Sequence, residues 1–153
     1  MRAVSKQDDR WKRCDLKTTS LMATVMGKID MRDSGVDEVI FVGSRGQLRE
    51  GGSSNLFVRQ GDVLKTHPAD GRILEGITRG ILLQLAEEHG LPCSETPPLL
   101  HERGEWQEAF LSGTLTGVQP LVELDGEPVA GGVVGPWTHQ LAEAVDKRDG
   151  QVP

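Results

Sequence analysis

Arg10-Trp11-Lys12-Arg13-Cys14-Asp15-Leu16-Lys17 is the stretch around which this sequence is organised. Three apolar residues give it strand-compatible positions, and Thr18-Thr19-Ser20 follow it with side chains that cap helices. The pattern predicts a strand that ends at Lys17 and a helix that begins directly after it. A lysine at such a junction can be partly desolvated, which favours the neutral amine that attacks an aldehyde. On its own, the same pattern also fits an exposed lysine at the end of an edge strand.

The bulk properties exclude several classes of protein. The chain has 153 residues and a net charge of -6, which predicts one acidic domain and no nucleic-acid partner. Its 2 cysteines have neither metal-ligand nor disulfide-framework spacing, and its 4 histidines are predicted to be surface or loop residues rather than metal ligands. No run is apolar enough for a membrane span or a signal peptide, so a cytoplasmic location without a membrane partner is expected.

Apolar spacing predicts helices and strands in alternation. The first helix has one apolar face, made by Leu21, Met22, Val25, Met26 and Ile29. The strands that follow are predicted at 36–42, 47–49, 56–58 and 63–66. A second amphipathic helix starts at Ile77, and later segments predict a strand over 106–112, a last hairpin over 118–129 and a closing helix around 137–145. Such a mixture indicates an α/β fold.

Gly76-Ile77-Thr78 lies at the predicted amino terminus of the second helix. Free N–H groups and the helix dipole attract a phosphate at such a terminus. The segment is therefore a candidate anion site, although an ordinary capped helix has the same appearance.

Three further segments accompany the lysine stretch, at 49–57 (REGGSSNLF), 73–79 (ILEGITR) and 110–114 (FLSGT). In this order and spacing, the four segments resemble the class IV aminotransferases, which are fold-type IV pyridoxal-phosphate enzymes. The resemblance is strongest to the D-amino acid aminotransferase group, and it extends from about Arg10 to Leu141.

The resemblance implies the architecture of the large domain of these enzymes, a mixed α/β sheet that forms a barrel-like core with outer helices. It implies a linker remnant at 1–9, the domain that binds pyridoxal 5'-phosphate at 10–147 and a tail at 148–153, with the amino-terminal small domain absent. We therefore expect the chain to expose an apolar face where that small domain would pack.

The resemblance also implies roles for the residues that contact the cofactor. Lys17 would bind the aldehyde of the cofactor covalently and then act as the general base. Glu50 would keep the ring nitrogen protonated, which makes the ring an electron sink. Arg10 would lie near the phenolic oxygen.

Further positions complete the implied cofactor site. Leu74 would pack against the ring, and Ile77 and Thr78 would bind the phosphate. Gly113 and Thr114 would make a second phosphate contact, and Ser54 would supply a polar group at the edge of the cofactor.

The implied reaction is transamination between an amino acid, D-configured by the closest subgroup, and a 2-oxo acid. Aminodeoxychorismate lyase and branched-chain aminotransferase are alternatives within the family, and a catalytically silent domain that binds a cofactor or a partner is an alternative outside it. Glu50-Gly51-Gly52-Ser53-Ser54-Asn55 and Thr66-His67-Pro68 favour the D-amino acid group. The implied partners are the two substrates, the missing amino-terminal domain and a second subunit in a homodimer.

Overall fold

The structure is a computed structural model, and it describes residues 1–149. It contains three α-helices, ten strands and two short 3-10 helices in these residues. In chain order they are β1 (Arg2–Gln7), α1 (Met22–Asp33), β2 (Glu38–Val42), β3 (Leu48–Gly51), β4 (Asn55–Gln60), β5 (Val63–Thr66), α2 (Ile77–Glu88), β6 (Cys93–Ser94), a 3-10 helix (Leu100–Glu105), β7 (Trp106–Gly113), β8 (Gly117–Pro120), β9 (Glu123–Leu124), β10 (Glu127–Pro128), a 3-10 helix (Ala130–Gly132) and α3 (Pro136–Asp149).

The strands form one mixed sheet, as predicted, and it curls without closing completely. Its order is β10-β9-β1-β2-β3-β4-β5-β6, and β7 joins it by pairing with both β4 and β8. The chain then passes from β8 directly to β9, which pairs in parallel with β1. The backbone of Met1 bonds to Pro120 and Val122 across this passage. The barrel-like description is therefore correct in a loose sense, because the ring β1-β2-β3-β4-β7-β8-β9 is interrupted between β8 and β9.

Alternating side chains on β4 and β7 fill two separate cores. Leu56 and Val58 point into the curled sheet, where twelve buried hydrophobic residues form one cluster. Phe57 and Phe110 point the other way and stack with ring centroids 5.0 Å apart. They belong to the second cluster, which α2 and α3 cover. The outer helices predicted from the sequence thus pack on the convex face of the sheet.

The amino-terminal segment differs from its prediction. Residues 2–7, expected to be a linker remnant, form β1 between β2 and β9. Residues 10–17, expected to be a strand, are irregular and belong to a loop over residues 8–21, here called the lysine loop. The reason is that β1 is hydrogen-bonded on both edges, while the apolar positions of the lysine loop do not alternate. Together β1, the lysine loop, α1 and β2 make a parallel β-α-β unit.

Helix α1 exists as predicted, but it begins later, and it packs on the sheet through the side opposite its apolar face. Its N-cap residue is Leu21 without a side-chain cap, so the capping role expected for Thr18-Thr19-Ser20 is wrong. The buried residues are Thr24 and Gly27, and a Cβ at Gly27 would lie 3.1 Å from Cζ of Phe41. The helix therefore approaches β2 through its small residues. Its apolar face (Leu21, Met22, Val25, Met26, Ile29) is exposed to solvent, between 36% and 75%.

The second helix, the hairpins and the closing helix agree with their predictions. Of the four histidines, His67 differs in being buried, with Nδ1 2.9 Å from the carbonyl of Pro68. The predicted tail at 148–153 overlaps the end of α3, and its last four residues lie outside the described part of the chain. In residues 1–149, none of the helices combines the length and apolarity that a membrane crossing requires.

Candidate active site

One cavity of about 800 Å³ brings together distant segments of the chain. Its wall is formed by the lysine loop, the start of α1, the turn between β3 and β4, the start of α2 and the end of β7. The residues predicted from the sequence all line it: Arg10, Lys17, Glu50, Ser54, Leu74, Ile77, Thr78, Gly113 and Thr114. Their individual roles stay predictions, but the cavity that they share is the candidate active site.

The lysine loop carries Lys17 to the carboxyl end of β1, an edge where α/β proteins often bind ligands. The loop is anchored by Cys14, whose N–H donates to the carbonyl of Gly71 at 2.9 Å and whose thiol donates to the carbonyl of Trp11 at 3.2 Å. Lys17 itself is exposed, so the partial desolvation expected from a strand-to-helix junction is wrong for this chain. It lies instead in a loop, with its side chain on the cavity wall.

Glu50 is the buried carboxylate of the site, with both oxygens engaged. Oε1 accepts a hydrogen bond from Nη1 of Arg10 at 2.6 Å. Oε2 accepts from Nδ2 of Asn55 at 3.2 Å and from the N–H of Leu74 at 3.0 Å. Burial raises the pKa of Glu50 to about 7, against the opposing effect of the Arg10 guanidinium. A carboxyl group that titrates near neutrality is suited to share a proton with a ring nitrogen of a molecule bound in the cavity.

Arg10 lies against Glu50 and over the ring of Phe41, with Cζ 4.2 Å from the ring centroid. Its Nε and Nη2 both donate to Asp8 at 2.9 Å. The opposite charges of Asp8 and Glu50 raise the pKa of Arg10 despite burial, which acts to lower it. Arg10 is thus a fixed cation at the wall of the cavity.

The glycine-serine turn between β3 and β4 is held by Glu38, which is buried on β2. Its carboxylate accepts from Oγ of Ser54 at 3.0 Å and from the N–H of Gly52 at 3.2 Å. A Cβ at Gly51 would lie 2.2 Å from Oγ of Ser54, so a larger residue would break this arrangement. Ser54 therefore belongs to the cavity wall while its hydroxyl is committed to Glu38.

The opposite end of the cavity offers anion-binding groups. Helix α2 starts after Gly76 without a side-chain cap, which leaves its first N–H groups available. A Cβ at Gly76 would lie 2.2 Å from Oδ1 of Asn55, so this start is possible only with glycine. At the end of β7, Oγ of Ser112 is buried without a hydrogen-bond partner and lines the same cavity. Such donors are suited to bind a phosphate-sized anion.

Several residues at the site were missed or given too small a role by sequence reasoning. Asn55, which was noted only as a member of its motif, donates to Glu50 and to the carbonyl of Leu74. Lys28, which lies on α1 outside the predicted apolar face, lines the cavity and donates to Ser53 at 3.3 Å. Ser112 was visible in its motif, since it directly precedes Gly113.

No metal centre accompanies these groups in the part of the chain that the structure describes. Residues 1–149 contain no cluster of three or more histidine, cysteine, aspartate or glutamate side chains placed to hold an ion.

Comparison with known proteins assigns the family. D-alanine aminotransferase of Staphylococcus aureus (strain COL) is 36% identical over 145 residues, which cover 94% of this chain and 51% of that protein. The chain thus spans about half the length of the curated relatives it matches.

Two solved structures are similar over nearly the whole chain. Branched-chain aminotransferase from Thermoproteus uzoniensis with norvaline has a TM-score of 0.85 at 30% identity, covering 95% of this chain and 50% of that one. The T.th. branched-chain amino acid aminotransferase complexed with N-(5'-phosphopyridoxyl)-L-glutamate has a TM-score of 0.88, with coverage of 99% and 53%, and at 24% identity it shows the fold alone. The family model for amino-transferase class IV matches residues 2–124, and the chain therefore belongs to the class IV amino-transferase family.

Proposed function

We propose that the chain binds pyridoxal 5'-phosphate and takes part in transamination between an amino acid and a 2-oxo acid. The observation that carries this proposal is the single cavity shared by Lys17, Glu50 and the start of α2. Family membership supports it further.

The groups that line the cavity fit such a cofactor. A buried carboxylate suits a protonated ring nitrogen, and the free N–H groups of α2 suit a phosphate. The partnerless hydroxyl of Ser112 supplies one more donor. When bound, the cofactor supplies an electron sink next to the substrate.

The roles proposed for individual residues follow from their chemistry. The amine of Lys17 would hold the cofactor through its aldehyde group, and when free it would move a proton at the substrate carbon. Glu50 holds a proton at the ring nitrogen, and Arg10, which pairs with Glu50, lies near the phenolic oxygen. The backbone N–H groups of Ile77 and Thr78 bind the phosphate.

The remaining proposed contacts complete the cofactor site. Gly113 and Thr114, at the end of β7, make the second phosphate contact. Leu74 packs on the ring, and Ser54 lies at the edge of the cofactor.

A D-amino acid is the proposed donor, because the relative at 36% identity is a D-alanine aminotransferase. A branched-chain amino acid is the second candidate, and the T. uzoniensis structure at 30% identity favours it. Turnover with D-alanine and with L-leucine, each paired with 2-oxoglutarate, distinguishes the two on a subunit as long as the relatives.

The partners are part of the same proposal. The exposed apolar face of α1 and the neighbouring Trp11 and Leu16, which are 48% and 44% exposed, border the cavity. We infer that this surface is covered either by a further part of a polypeptide as long as the relatives or by the second subunit of a homodimer. The chain alone should therefore bind the cofactor weakly and show little turnover. The cytoplasm is the proposed location, supported by the free thiols of Cys14 and Cys93.

Borohydride labelling tests the cofactor site directly. The chain is mixed with pyridoxal 5'-phosphate, reduced with borohydride and digested, and the modified peptide is identified by mass spectrometry. We expect the label on Lys17 and its loss in Lys17→Ala. The matched control is Lys12→Ala, because Lys12 is exposed in the same loop and does not line the cavity. Equal labelling of many lysines, or a label that survives in Lys17→Ala, would refute the proposal.

A further inference from the structure

Asp8 is a buried charge behind the site to which the proposed function gives no role. Its side chain is 0% exposed, although it lies at the start of the lysine loop. Burial opposes its charge, but hydrogen bonds and the nearby charge of Arg10, with a bond from Arg49, outweigh burial and lower the pKa of Asp8. It is therefore a permanent anion beneath the wall of the cavity.

Two arginines share the carboxylate of Asp8. Oδ1 accepts from the backbone N–H of Arg10 at 3.0 Å and from its Nε at 2.9 Å. Oδ2 accepts from Nη2 of Arg10 at 2.9 Å and from Nη1 of Arg49 at 2.5 Å. Both oxygens are thus occupied, and the contact with Arg10 has the two-pronged form that fixes a guanidinium plane.

This contact determines what Arg10 offers to the cavity. With Nε and Nη2 taken by Asp8, Nη1 is the nitrogen that reaches Glu50, at 2.6 Å. Nη2 makes only one further contact, a long one of 3.4 Å to the carbonyl of Arg72. The orientation of Arg10 toward Glu50 is therefore fixed from behind.

Asp8 and Glu50 also compete for the positive charge of Arg10. The charged groups that act on Glu50 are Arg10 and Asp8 on the lysine loop, and Arg49 on β3 joins this cluster through its ion pair with Asp8. The thiol of Cys14 also faces this cluster, and its pKa is raised by burial, with Arg10 opposing and the two carboxylates assisting. From β4 only the amide of Asn55 reaches Glu50, and from the segment before α2 only the N–H of Leu74 does.

We propose that Asp8 is a positioning residue of the site, which holds Arg10 in place and limits how strongly Arg10 stabilises the anionic form of Glu50. This inference rests on the proposed function, in which Glu50 holds a proton at the ring nitrogen of the cofactor. Through Arg10, Asp8 sets the strength of Glu50 as a base without contacting the cofactor.

The test uses Asp8→Asn in the cofactor-free chain, and two NMR readouts are followed. The first is the Nε–H of Arg10, which should lose its protection from exchange when the carboxylate is removed. The second is the ¹³C titration of the Glu50 carboxyl, assigned by its absence in Glu50→Gln. We expect the pKa of Glu50 to fall by about one unit in Asp8→Asn, because Arg10 is left with Glu50 as its one anionic partner.

Arg49→Gln is the second variant, and it has an opposite expected result. It leaves Asp8 with Arg10 as its one cation, so the Nε–H of Arg10 should stay protected and the pKa of Glu50 should rise. This variant keeps the inference testable even if Asp8→Asn does not fold. Asp15→Asn is the control for net charge, because Asp15 pairs with Arg13 in the same loop and lies outside the cavity wall.

The inference is overturned if the Nε–H of Arg10 remains protected in Asp8→Asn, or if the Glu50 titration moves no more than in Asp15→Asn. A rise of the Glu50 pKa in Asp8→Asn, or a fall in Arg49→Gln, also overturns it. A separate titration with pyridoxal 5'-phosphate reports on the proposed function. Failure of the wild-type chain to bind at Lys17 would refute that function, while the cofactor-free NMR result on Asp8 would still stand.

Discussion

At the scale of single residues, Glu50 is the carboxyl group whose titration is coupled most directly to folding. In the folded chain it has a pKa of about 7, above the ordinary value of 4.5, with burial as the main cause. The folded chain therefore binds this proton more tightly than the unfolded chain. The stabilisation that results is complete below pH 4.5 and is lost as the pH rises through 7.

This linkage gives a prediction for the cofactor-free protein. The step from 4.5 to about 7 corresponds to about 3 kcal/mol of unfolding free energy, at about 1.4 kcal/mol per pH unit. We expect the wild type to lose about that much stability relative to Glu50→Gln between about pH 4.5 and about pH 8. Urea unfolding of both proteins across this range measures the difference, and a difference that stays constant with pH would contradict the prediction.

The residue types of the site were predictable, but their contacts were not. Glu50, Gly51 and Gly52 stand in a short motif, and they were identified because that motif, together with the other three, resembles the class IV family. The bond between Arg10 and Glu50 joins residues 40 positions apart, and only the curled sheet brings them together. Asp8 could not be selected at all, since a carboxylate in an apparent linker gives no signal of burial.

At the scale of elements, α2 was predictable from its local sequence and β1 was not. Helix α2 was predicted because its apolar residues repeat at helical spacing and its buried face follows that pattern. Strand β1 was missed because its side chains are mostly polar and only Ala3 is buried. Its position depends on hydrogen bonds to β2 and β9, which a local pattern does not encode.

Helix α3 depends on a carboxylate from another element. Glu108 on β7 is buried and accepts from the N–H of Thr138 at 2.8 Å and of Trp137 at 3.2 Å. It also pairs with Nη1 of Arg59 at 3.0 Å. A Cβ at Gly135, the residue before α3, would lie 2.0 Å from Cδ of Glu108, so only glycine fits at this position. The carboxylate thus supplies the acceptor that free N–H groups at a helix start require.

We expect Glu108→Gln to destabilise the chain by about 3 kcal/mol, because the amide leaves Arg59 without its buried anion and turns a donor toward other donors. Urea unfolding of the variant measures the effect. Glu143→Gln is the matched control on α3, since Glu143 is exposed, and it should change stability by less than about 0.5 kcal/mol. If Glu108→Gln were as stable as Glu143→Gln, the expected capping of α3 by Glu108 would be wrong.

At the scale of the whole molecule, α1 has one side that packs on the sheet and an opposite, apolar side that is exposed to solvent. Gly27 and Thr24 contact the sheet, while Met22 and Met26 are 75% and 48% exposed. The apolar face that the helical spacing predicted is therefore available for association. Periodicity identified the helix but not its orientation, because apolar spacing marks one face of a helix without showing which surface that face contacts.

The double variant Met22→Lys/Met26→Lys tests this division. Since both side chains are exposed in this chain, we expect unfolding free energy to change by less than about 0.5 kcal/mol. Self-association, measured by sedimentation velocity, should decrease. Gly27→Val is the contrast, because its new side chain would collide with Phe41, and it should destabilise by about 1–3 kcal/mol. A large loss of stability in the methionine variant would mean that these residues pack within the chain.

Strand β4 has a consequence for how the molecule comes apart. It pairs with β3, β5 and β7, and it sends Leu56 and Val58 to one core and Phe57 to the other. If either core unfolds, β4 loses part of its packing and can no longer hold the other core in place. Although the two cores share no side chain, we expect them to unfold as a single cooperative unit and the cavity at their edge to be lost with them.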